Sequence, residues 1–348
     1  MSVPNFSRAL RLAWPRLMLA CVVILAAACR PRSDNEVVVY AALDREFSEP
    51  VLKDFSQETG IQVVAKYDLE STKTVGLVNE LRREKNRPRC DVFWNNEILH
   101  TLRLEREGLL DAYLSPTAEP FPADVRSVDG HWYGFAARAR VIVINTDLVP
   151  EAEYPRTVGE LADPRWRGRV GIAKPLFGTT ATHAAVLFSR LGSDEAKKFF
   201  LQVKSNVRIM SGNKQVAVAV GRGQLAWGLT DTDDAFSEIA QARPVAIVFP
   251  DQANGEAGCL FIPNSLCILR NGPNPQAARK LVDYLLSEKV EDRLARGESG
   301  QFPLNPRVIT KPEHVADAPL RRMEADFRAA ADAWNSAAAW LRDEFEGP

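Results

Sequence analysis

The sequence lacks the patterns that mark the common classes of enzyme and nucleic-acid-binding protein. It has no dinucleotide-binding glycine fingerprint, no Walker A box, no HExxH metalloprotease motif and no GxSxG nucleophile elbow. Its four histidines are scattered along the chain, which argues against a histidine-rich metal site. The net charge of −1 provides no basic surface for nucleic acid, so we expect no nucleic-acid partner.

The composition is that of an ordinary globular protein, with 46% hydrophobic and 26% charged residues. A chain of 348 residues predicts two lobes, because single cores stop growing near roughly 250–300 residues. The five cysteines support neither a zinc site nor a disulfide scaffold. Cys259 and Cys267 lie close in sequence. They form either a disulfide across a turn at Pro263–Asn264 or two buried thiols.

The first 29 residues have the features of an export signal. Three arginines precede an apolar run that ends at Ala28 and is shorter than the roughly 20 residues a membrane span requires. We interpret residues 1–29 as a signal peptide of the bacterial lipoprotein type, cleaved before Cys29, whose thiol then carries lipid. Cleavage near Ala28 without lipid and an uncleaved anchor are the alternatives. Residues 30–35 form a polar tether, which predicts a periplasmic or cell-envelope protein with a lipid anchor.

Apolar strand-like segments alternate with amphipathic helical ones along most of the remaining chain. Strands are predicted at 36–43, 61–67, 91–94, 169–173, 225–229 and 258–269, and in two successive segments over 131–146. Helices are predicted at 48–59 (with Ser48 as N-cap and Gly60 as stop), 72–86, 98–107, 178–190, 194–203, 213–220, 234–242, 275–287, 288–296 and 319–344. This alternation predicts an α/β fold with mixed, mainly parallel sheets and helices on the sheet faces.

The two α/β units predict two lobes with a cleft between them. We assign residues 36–138 and 258–305 to lobe 1 and residues 139–257 and 306–348 to lobe 2. Open sheets of this kind bind ligands beyond the carboxyl ends of their parallel strands. Candidate functional residues are therefore those that directly follow predicted strands.

The segment that follows the predicted strand LAWGL is rich in acids. Asp231, Asp233 and Asp234 place three carboxylates in four positions, with Thr232 between them. Such carboxylates repel one another unless a cation or hydrogen-bond donors offset their charge, and oxygen ligands suit hard cations. The alternative is helix capping, with Asp231 or Thr232 as the N-cap and the other acids in the first turn.

Two predicted helix starts are suited to an anion. Gly178, Thr179 and Thr180 combine free backbone N–H groups with hydroxyls, and Asn213 begins a second helix. Arg140 shares one face of a predicted strand with Arg138 and has the fork geometry that suits carboxylates and phosphates. The alternatives are capped helices without a ligand and an ion pair that joins the lobes.

Asp44, Asn96 and Glu97 complete the set, because each follows a predicted strand on the cleft side. Capping of the next helix is the alternative for Asp44. The candidate ligand-binding residues are Asp44, Asn96, Glu97, Arg140, Gly178, Thr179, Thr180, Asn213, Asp231, Thr232 and Asp233. The candidate metal ligands among them are Asp44, Glu97 and Asp233.

Six stretches of the chain resemble the bacterial extracellular solute-binding proteins of the ferric-iron type, which serve ABC importers. In order along the chain they are VVVYAALDREF with FSQETGIQV, CDVFWNNE, RARVIVINT, WRGRVGIAKP and QFPLNP. The resemblance implies a two-lobed, Venus-flytrap periplasmic-binding-protein fold. It also implies a monomer that holds its ligand between the lobes and delivers it to a permease, which works with an ATPase subunit. The protein itself is expected to bind its ligand without catalysis.

The sequence departs from this family at the ligand. Ferric members commonly hold iron with a histidine, a glutamate and two adjacent tyrosines. The resemblance places Asp44 at the histidine position, Asn96 (or Glu97 after a one-residue shift) at the glutamate position, and Thr232–Asp233 at the tyrosine pair. No tyrosine occurs between residues 154 and 284.

Two classes of ligand therefore remain open. The resemblance implies iron(III) or another hard cation as cargo, held together with a synergistic anion, and no resident cofactor. The missing tyrosines favour an organic phosphate or a small organic anion instead. A secreted hydrolase that uses the paired acids is a remote third alternative. The sequence identifies neither the ligand nor the cognate permease.

Overall fold

Two sheets that share one long strand form the framework of the protein. The structure, a computed structural model, describes residues 35–68, 73–315 and 319–346, so the predicted signal peptide and most of the tether lie outside the described residues. The strands are β1 (Glu36–Ala41), β2 (Gln62–Tyr67), β3 (Val92–Asn95), β4 (Leu110–Asp111), β5 (Tyr133–Asn145), β6 (Val170–Ala173), β7 (Arg208–Met210), β8 (Trp227–Asp231), β9 (Val245–Val248) and β10 (Phe261–Leu269).

Ten α-helices in the described residues cover these sheets. They are α1 (Arg45–Thr59), α2 (Val75–Arg83), α3 (Leu99–Arg106), α4 (Gly178–Leu191), α5 (Ser193–Asn206), α6 (Asn213–Gly221), α7 (Thr232–Ala240), α8 (Pro275–Leu285), α9 (Glu288–Arg296) and α10 (Phe327–Phe345). None of them combines the length and the hydropathy that crossing a bilayer requires. Short 3₁₀ turns lie at Pro116–Ala118, Ala123–Val125, Glu151–Glu153, Val158–Ala162 and Pro164–Trp166.

The first sheet has the order β2-β1-β3-β10-β5, with β4 added on β10. Strands β1, β2 and β3 are parallel, as the strand–helix alternation predicts, and β10 is antiparallel to both of its neighbours β3 and β5. Helices lie on both faces because the strands are apolar on both sides. Val37 and Val39 of β1 pack with Phe55 of α1 on one face, and Tyr40 packs with Leu81 of α2 on the other.

The second sheet continues β5 with β8 and β9, both antiparallel to it, and adds β6 and β7 in parallel to β8. The prediction of two successive strand segments over 131–146 is wrong, since β5 is one continuous, fully buried strand of 13 residues. It pairs with β10 as far as Ala139 and with β8 from Arg140 onward. The chain therefore passes from one sheet to the other between these two residues.

Two predicted helix boundaries near the cleft are wrong, and the reason is local hydrogen bonding. Helix α1 begins at Arg45, and the Ser48 hydroxyl donates to the carbonyl of Leu43 at 3.1 Å from within the helix instead of capping it. Gly60 ends this helix in the left-handed conformation (φ 72°), as predicted. Strand β8 extends to Asp231 and helix α7 starts at Thr232, so the acids begin the helix earlier than expected.

The C-terminal helix α10 contacts helices that belong to both sheets. It begins at Phe327 rather than at residue 319, because Asp326 caps it by accepting from the amide of Ala329 at 2.9 Å. Asp332 pairs with Arg106 of α3 at 2.6 Å, and Glu344 pairs with Lys204 of α5 at 3.0 Å. The helix thus joins the two halves of the protein.

The cysteines of the described residues are free and buried. They are Cys90, Cys259 and Cys267. A disulfide between Cys259 and Cys267 is excluded here, because Pro263 and Asn264 form no turn and lie within the single strand β10, which keeps the two thiols apart. Burial raises the pKa of both thiols, so these cysteines are unreactive at neutral pH.

Candidate functional site

The site lies where β5 crosses between the sheets and where β8 ends. Alternation along β5 puts Arg138 and Arg140 on one face, and both side chains are fully buried. Buried guanidinium groups require partners, because an unpaired buried charge is costly. Here the partners are the acids that end β8 and begin α7, so both arginines are engaged in ion pairs within the protein, which was the alternative to an arginine that faces an anionic ligand.

Asp231 is the centre of this network. Its Oδ1 accepts from Arg140 Nη1 at 2.7 Å, and its Oδ2 accepts from Asn213 Nδ2 at 3.0 Å and from the Thr179 hydroxyl. Asp231 occupies the N-cap position of α7 but makes no capping hydrogen bond, so the helix-capping alternative is wrong for this residue. Its carboxylate instead joins β5 to the starts of α4 and α6.

The hydroxyls at the start of α4 extend this network. Arg140 donates to the hydroxyl oxygens of Thr179 and Thr180, each at 3.3 Å. Asn213 Nδ2 donates to Thr179 at 2.8 Å, and Thr180 donates to Asn213 Oδ1 at 2.9 Å. The structure therefore brings together five of the predicted residues: Arg140, Thr179, Thr180, Asn213 and Asp231.

Asp233 pairs with the other arginine. Arg138 Nη1 donates to Asp233 Oδ2 at 3.0 Å and lies 3.6 Å from Asp231 Oδ2, so one guanidinium group bridges two acids. Arg138 Nη2 also donates to the carbonyl of Asn96, which follows β3 of the first sheet. This contact ties the acid cluster of the second sheet to the first sheet.

Three carboxylates form one group that a cation could share. Single oxygens of Asp231, Asp233 and Asp234 all lie within 4.8 Å of one another, and this is the one such group found among the described residues. Asp233 thus keeps its predicted place as a candidate metal ligand, but Asp44 and Glu97 are not in the group. The hydroxyl of Thr232 is engaged elsewhere, since it accepts from the amide of Ala139 at 3.2 Å.

The charges in this cluster act on one another strongly. Burial would raise the pKa of Asp231, but Arg140 and then Arg138 outweigh it and hold that pKa below its usual range. Burial raises the pKa of Asp233 in spite of Arg138, and the neighbouring Asp231 adds to the effect. The two acids are therefore inequivalent, and Asp233 is the one that more readily takes a proton or exchanges its partner for a cation.

A small pocket opens beside this network between the two sheets. It has room for about 20 Å³, close to the volume that one water requires. Its lining residues are Lys73, Asn96, Ala173, Lys174, Phe177, Gly178, Thr179, Ser211, Gly212, Asn213 and Asp231. A larger solute can therefore enter only when the two lobes separate.

The pocket is positive on the side of the second sheet. The residues that precede α4 and α6, Phe177 and Gly212, supply no side-chain cap, so the partial positive charge of both helix starts faces the pocket. Lys174 adds an ammonium group on this side, and Lys73, which pairs with Asp44, adds one from the side of the first sheet. Gly178 has φ 52°, a conformation that favours glycine, and its amide donates to the carbonyl of Lys73 at 3.3 Å.

Asp44 does not line the pocket itself but pairs with Lys73, which does, and is neutralised by it. It stands at the N-cap position of α1 without a capping hydrogen bond, so the capping alternative is wrong here as well. Burial would raise the pKa of Asp44, but the ion pair with Lys73 outweighs it and lowers that pKa. Asn96 lines the pocket, and its side-chain oxygen accepts from the hydroxyl of Thr74.

Glu97 is fully buried away from the pocket. It accepts from Asn95 Nδ2 at 2.7 Å, contacts His100 Nδ1 at 3.1 Å and accepts from the Thr182 hydroxyl at 2.8 Å. Thr182 belongs to α4, so this carboxylate joins the two sheets as a structural group. Burial would raise its pKa, but His100 outweighs burial and lowers it.

Sequence reasoning missed two residues of the site. Lys73 and Lys174 were not predicted, although Lys174 directly follows β6 and so satisfies the rule that identified Asp44 and Asn96. Lys73 stands several residues beyond β2, so it does not carry that signal. Arg138 was recognised only as a neighbour of Arg140.

Comparison with known proteins identifies the family of the chain. The profile of the family described as bacterial extracellular solute-binding protein matches residues 100–328. The chain belongs to this family. Its members bind solutes outside the cytoplasm, which accords with a charged pocket between two lobes.

Similar proteins cover nearly the whole chain. Iron uptake protein A2 of Synechocystis is 28% identical over 261 residues, which is 70% of this chain and 73% of that protein. The apo ferric ion-binding protein A of Pasteurella haemolytica superposes with a TM-score of 0.79 at 23% identity, over 90% of this chain and 98% of that one.

A periplasmic binding protein of Actinobacillus pleuropneumoniae with fructose-6-phosphate bound superposes equally well. Its TM-score is 0.79 at 22% identity, over 91% of this chain and 100% of that one. These structures confirm the two-lobed periplasmic-binding-protein fold.

Proposed function

We propose that the protein is the extracytoplasmic substrate-binding component of an ABC importer. Its cargo is iron(III) or another hard cation, carried together with an anion in the cleft between the lobes. The observation that supports this most directly is the adjacency of two complementary sites. The carboxylates of Asp231, Asp233 and Asp234 provide hard oxygen donors, and the starts of α4 and α6 provide a seat for an anion.

Iron as the cargo agrees with the names of similar proteins, among them the Synechocystis iron uptake protein and the Pasteurella ferric ion-binding protein. Carboxylate oxygens are hard donors that suit iron(III), and the anion completes its coordination. Because Arg138 and Arg140 already neutralise two of the acids, binding requires the cation to displace Arg138 from Asp233. No catalytic residue is assigned, and uptake without turnover is expected.

The experiment is titration of the purified mature protein with ferric citrate. The protein should take up about one equivalent of iron and gain thermal stability. Asp233→Ala should abolish uptake, whereas Asp194→Ala, which removes an exposed acid from α5, should leave it unchanged. Equal uptake by both variants, or none by the unmodified protein, contradicts the assignment.

A second candidate function is binding of an organic phosphate, and the ion pairs favour it. Arg138 bridges Asp231 and Asp233, and Lys73 pairs with Asp44, so the acids are largely neutralised by the protein itself. Lys174 and the helix starts of the pocket then leave a net attraction for a phosphate. The Actinobacillus structure with fructose-6-phosphate bound is consistent with this chemistry.

Thermal shifts across sugar phosphates and phosphonates separate the two candidates. A shift with glucose 6-phosphate that survives Asp233→Ala but not a Thr179→Val/Thr180→Val double change contradicts the metal assignment and supports the phosphate. The double change removes two hydroxyls from the anion seat while keeping the side-chain shape. A shift that neither variant alters contradicts both.

Ligand entry requires motion of the lobes. We infer that lobe 1 (36–138 with 258–305) and lobe 2 (139–257 with 306–348) separate about a hinge near 137–140 and Gly258, where β5 crosses between the sheets. Contacts between the lobes close the cleft, such as the ion pair of Lys214 with Glu46 at 3.0 Å. Equal small-angle scattering radii with and without ligand would contradict this motion.

The remaining partners of the protein are the membrane and the other subunits of the importer. We infer cleavage before Cys29 and lipid attachment to its thiol, which anchors a monomeric protein to the cell envelope. The closed form then engages the permease, which works with the ATPase subunits. The intact mass of the protein extracted from cells shows whether the lipid is present.

A further inference from the structure

The end of lobe 1 that lies opposite the cleft carries a concentration of positive charge. Segment 82–89 ends α2 and leads into β3, whose far end reaches the cleft at Asn96. Of the five cations in this segment, Arg82 pairs with a glutamate at 2.5 Å and Arg89 lies 3.9 Å from another. The cations that have no carboxylate partner among the described residues are Arg83, Lys85 and Arg87.

A shallow pocket of about 60 Å³ lies within this positive region. Lys85, Arg89 and Arg270 line it together with one acid, Glu84, so its lining has a net positive charge, and Leu81 and Leu269 form part of its floor. Arg270 is exposed and is held in place because Nη2 donates to the carbonyl of Leu110 at 3.3 Å. We name the segment 82–89 together with Arg270 the basic face. Positive side chains around a shallow apolar floor suit the phosphate of a lipid headgroup and the carbons next to it.

The chain enters the described structure at this same end. Strand β1 starts at Glu36 and runs parallel to β3, so its first residue lies at the end where segment 82–89 joins β3. Asn35 lies six positions after Cys29, and six residue steps span at most about 20 Å when the chain is fully extended. A lipid on Cys29 therefore keeps the basic face close to the membrane surface, where electrostatic attraction acts over about 8 Å.

We propose that the basic face docks on anionic phospholipid headgroups. The proposal goes beyond ligand binding, and its tether argument rests on the lipid anchor inferred above. Within residues 30–348 the formal charge is 41 − 45 = −4, because the signal segment contributes three arginines and no acid. The body as a whole is therefore repelled by an anionic surface, and only a local positive face can attract it.

Stabilisation of the helix by its own charges explains only part of the basic face. Arg82 and Arg83 lie in the last turn of α2, where cations complement the helix dipole. Lys85, Arg87 and Arg89 lie beyond the helix end, so the dipole does not account for them. Their exposure costs nothing in solution and leaves them available to headgroups.

The test measures binding of unlipidated residues 30–348, which contain the whole described structure, to vesicles. Phosphatidylcholine vesicles with about 30% phosphatidylglycerol should bind the protein, pure phosphatidylcholine should not, and binding should fall as salt rises. Lys85→Glu/Arg87→Glu should lower the partition coefficient about 100-fold. The control Arg167→Glu/Lys198→Glu changes the net charge equally at exposed positions of lobe 2 and should retain binding.

Two results overturn the proposal. One is the same affinity of the unmodified protein for both kinds of vesicle. The other is equal loss of binding in the two double variants, since that reflects net charge alone. Melting curves establish that the variants are folded, and intact mass reports lipid on Cys29 separately. Failure of the anchor is thereby distinguished from failure of the basic face.

Discussion

Removal of the Asp231 carboxylate should destabilise the protein far more than removal of an exposed acid. Arg140 is fully buried, and Asp231 at 2.7 Å is its only carboxylate partner within 4.0 Å among the described residues. Breaking a buried pair from one side costs about 3–5 kcal/mol, because the remaining charge is left uncompensated. Asp231→Ala should therefore lower the free energy of unfolding by about that amount.

The matched control is Glu46→Ala. Its ion pair with Lys214 has side chains that are 52% and 44% exposed, and such pairs contribute about 0–1 kcal/mol. A double variant, Asp231→Leu/Arg140→Met, should lose less than the sum of its single changes, since it removes both charges together. Urea unfolding without ligand of these three variants and of the single changes Asp231→Leu and Arg140→Met measures these differences.

The pH dependence of Asp231→Ala provides a second check on the same reasoning. Because Arg140 and Arg138 depress the pKa of Asp231, its stabilising contribution is present above the unfolded pKa of about 4 and is lost as pH falls through the folded value. The difference from the unmodified protein should narrow in acid. A loss below about 1 kcal/mol at pH 7, or a difference that widens in acid, refutes the account of a paired buried acid.

Three further changes test the framework around the site. Burial raises the pKa of Asp251 to about 6, so the stability that its protonated form contributes is lost as pH rises through 6. Asp251→Asn should therefore raise the free energy of unfolding by about 1 kcal/mol at pH 8 and leave it unchanged at pH 4, as measured by urea unfolding. Gly60→Ala should cost about 1 kcal/mol in the same assay because its φ is 72°, whereas Gly159→Ala should be neutral. Glu291→Ala should cost about 3 kcal/mol or more, since its carboxylate accepts from three backbone amides; a loss below 1 kcal/mol contradicts this.

The strand–helix alternation allowed most of the fold to be predicted from sequence. Apolar runs such as the one at β1, and stops such as Gly60, are local signals that fix single elements. The short strands β7 and β9 were missed, because three or four residues are too few for a period to show. The continuity of β5 was also missed, since only the pairing partner changes along the strand and not its sequence character.

The candidate site was predicted less completely, for a physical reason. Predicted helix starts identified Thr179 and Asn213, and position after a strand identified Asp231; these three residues contact one another. The same rule placed Glu97 at the site, but a buried network with His100 takes this carboxylate into the core. Which side of the chain a residue faces after a strand depends on tertiary packing, and the sequence contains no local signal for it.

The most direct test of the central proposal is native mass spectrometry of the protein purified from its own host. The account predicts a small charged solute bound in a 1:1 ratio, released on denaturation and absent from a variant with Thr179→Val and Asp233→Ala. Spectra of the folded protein that show only the bare chain, together with no mass gain on adding ferric citrate or glucose 6-phosphate, would contradict it.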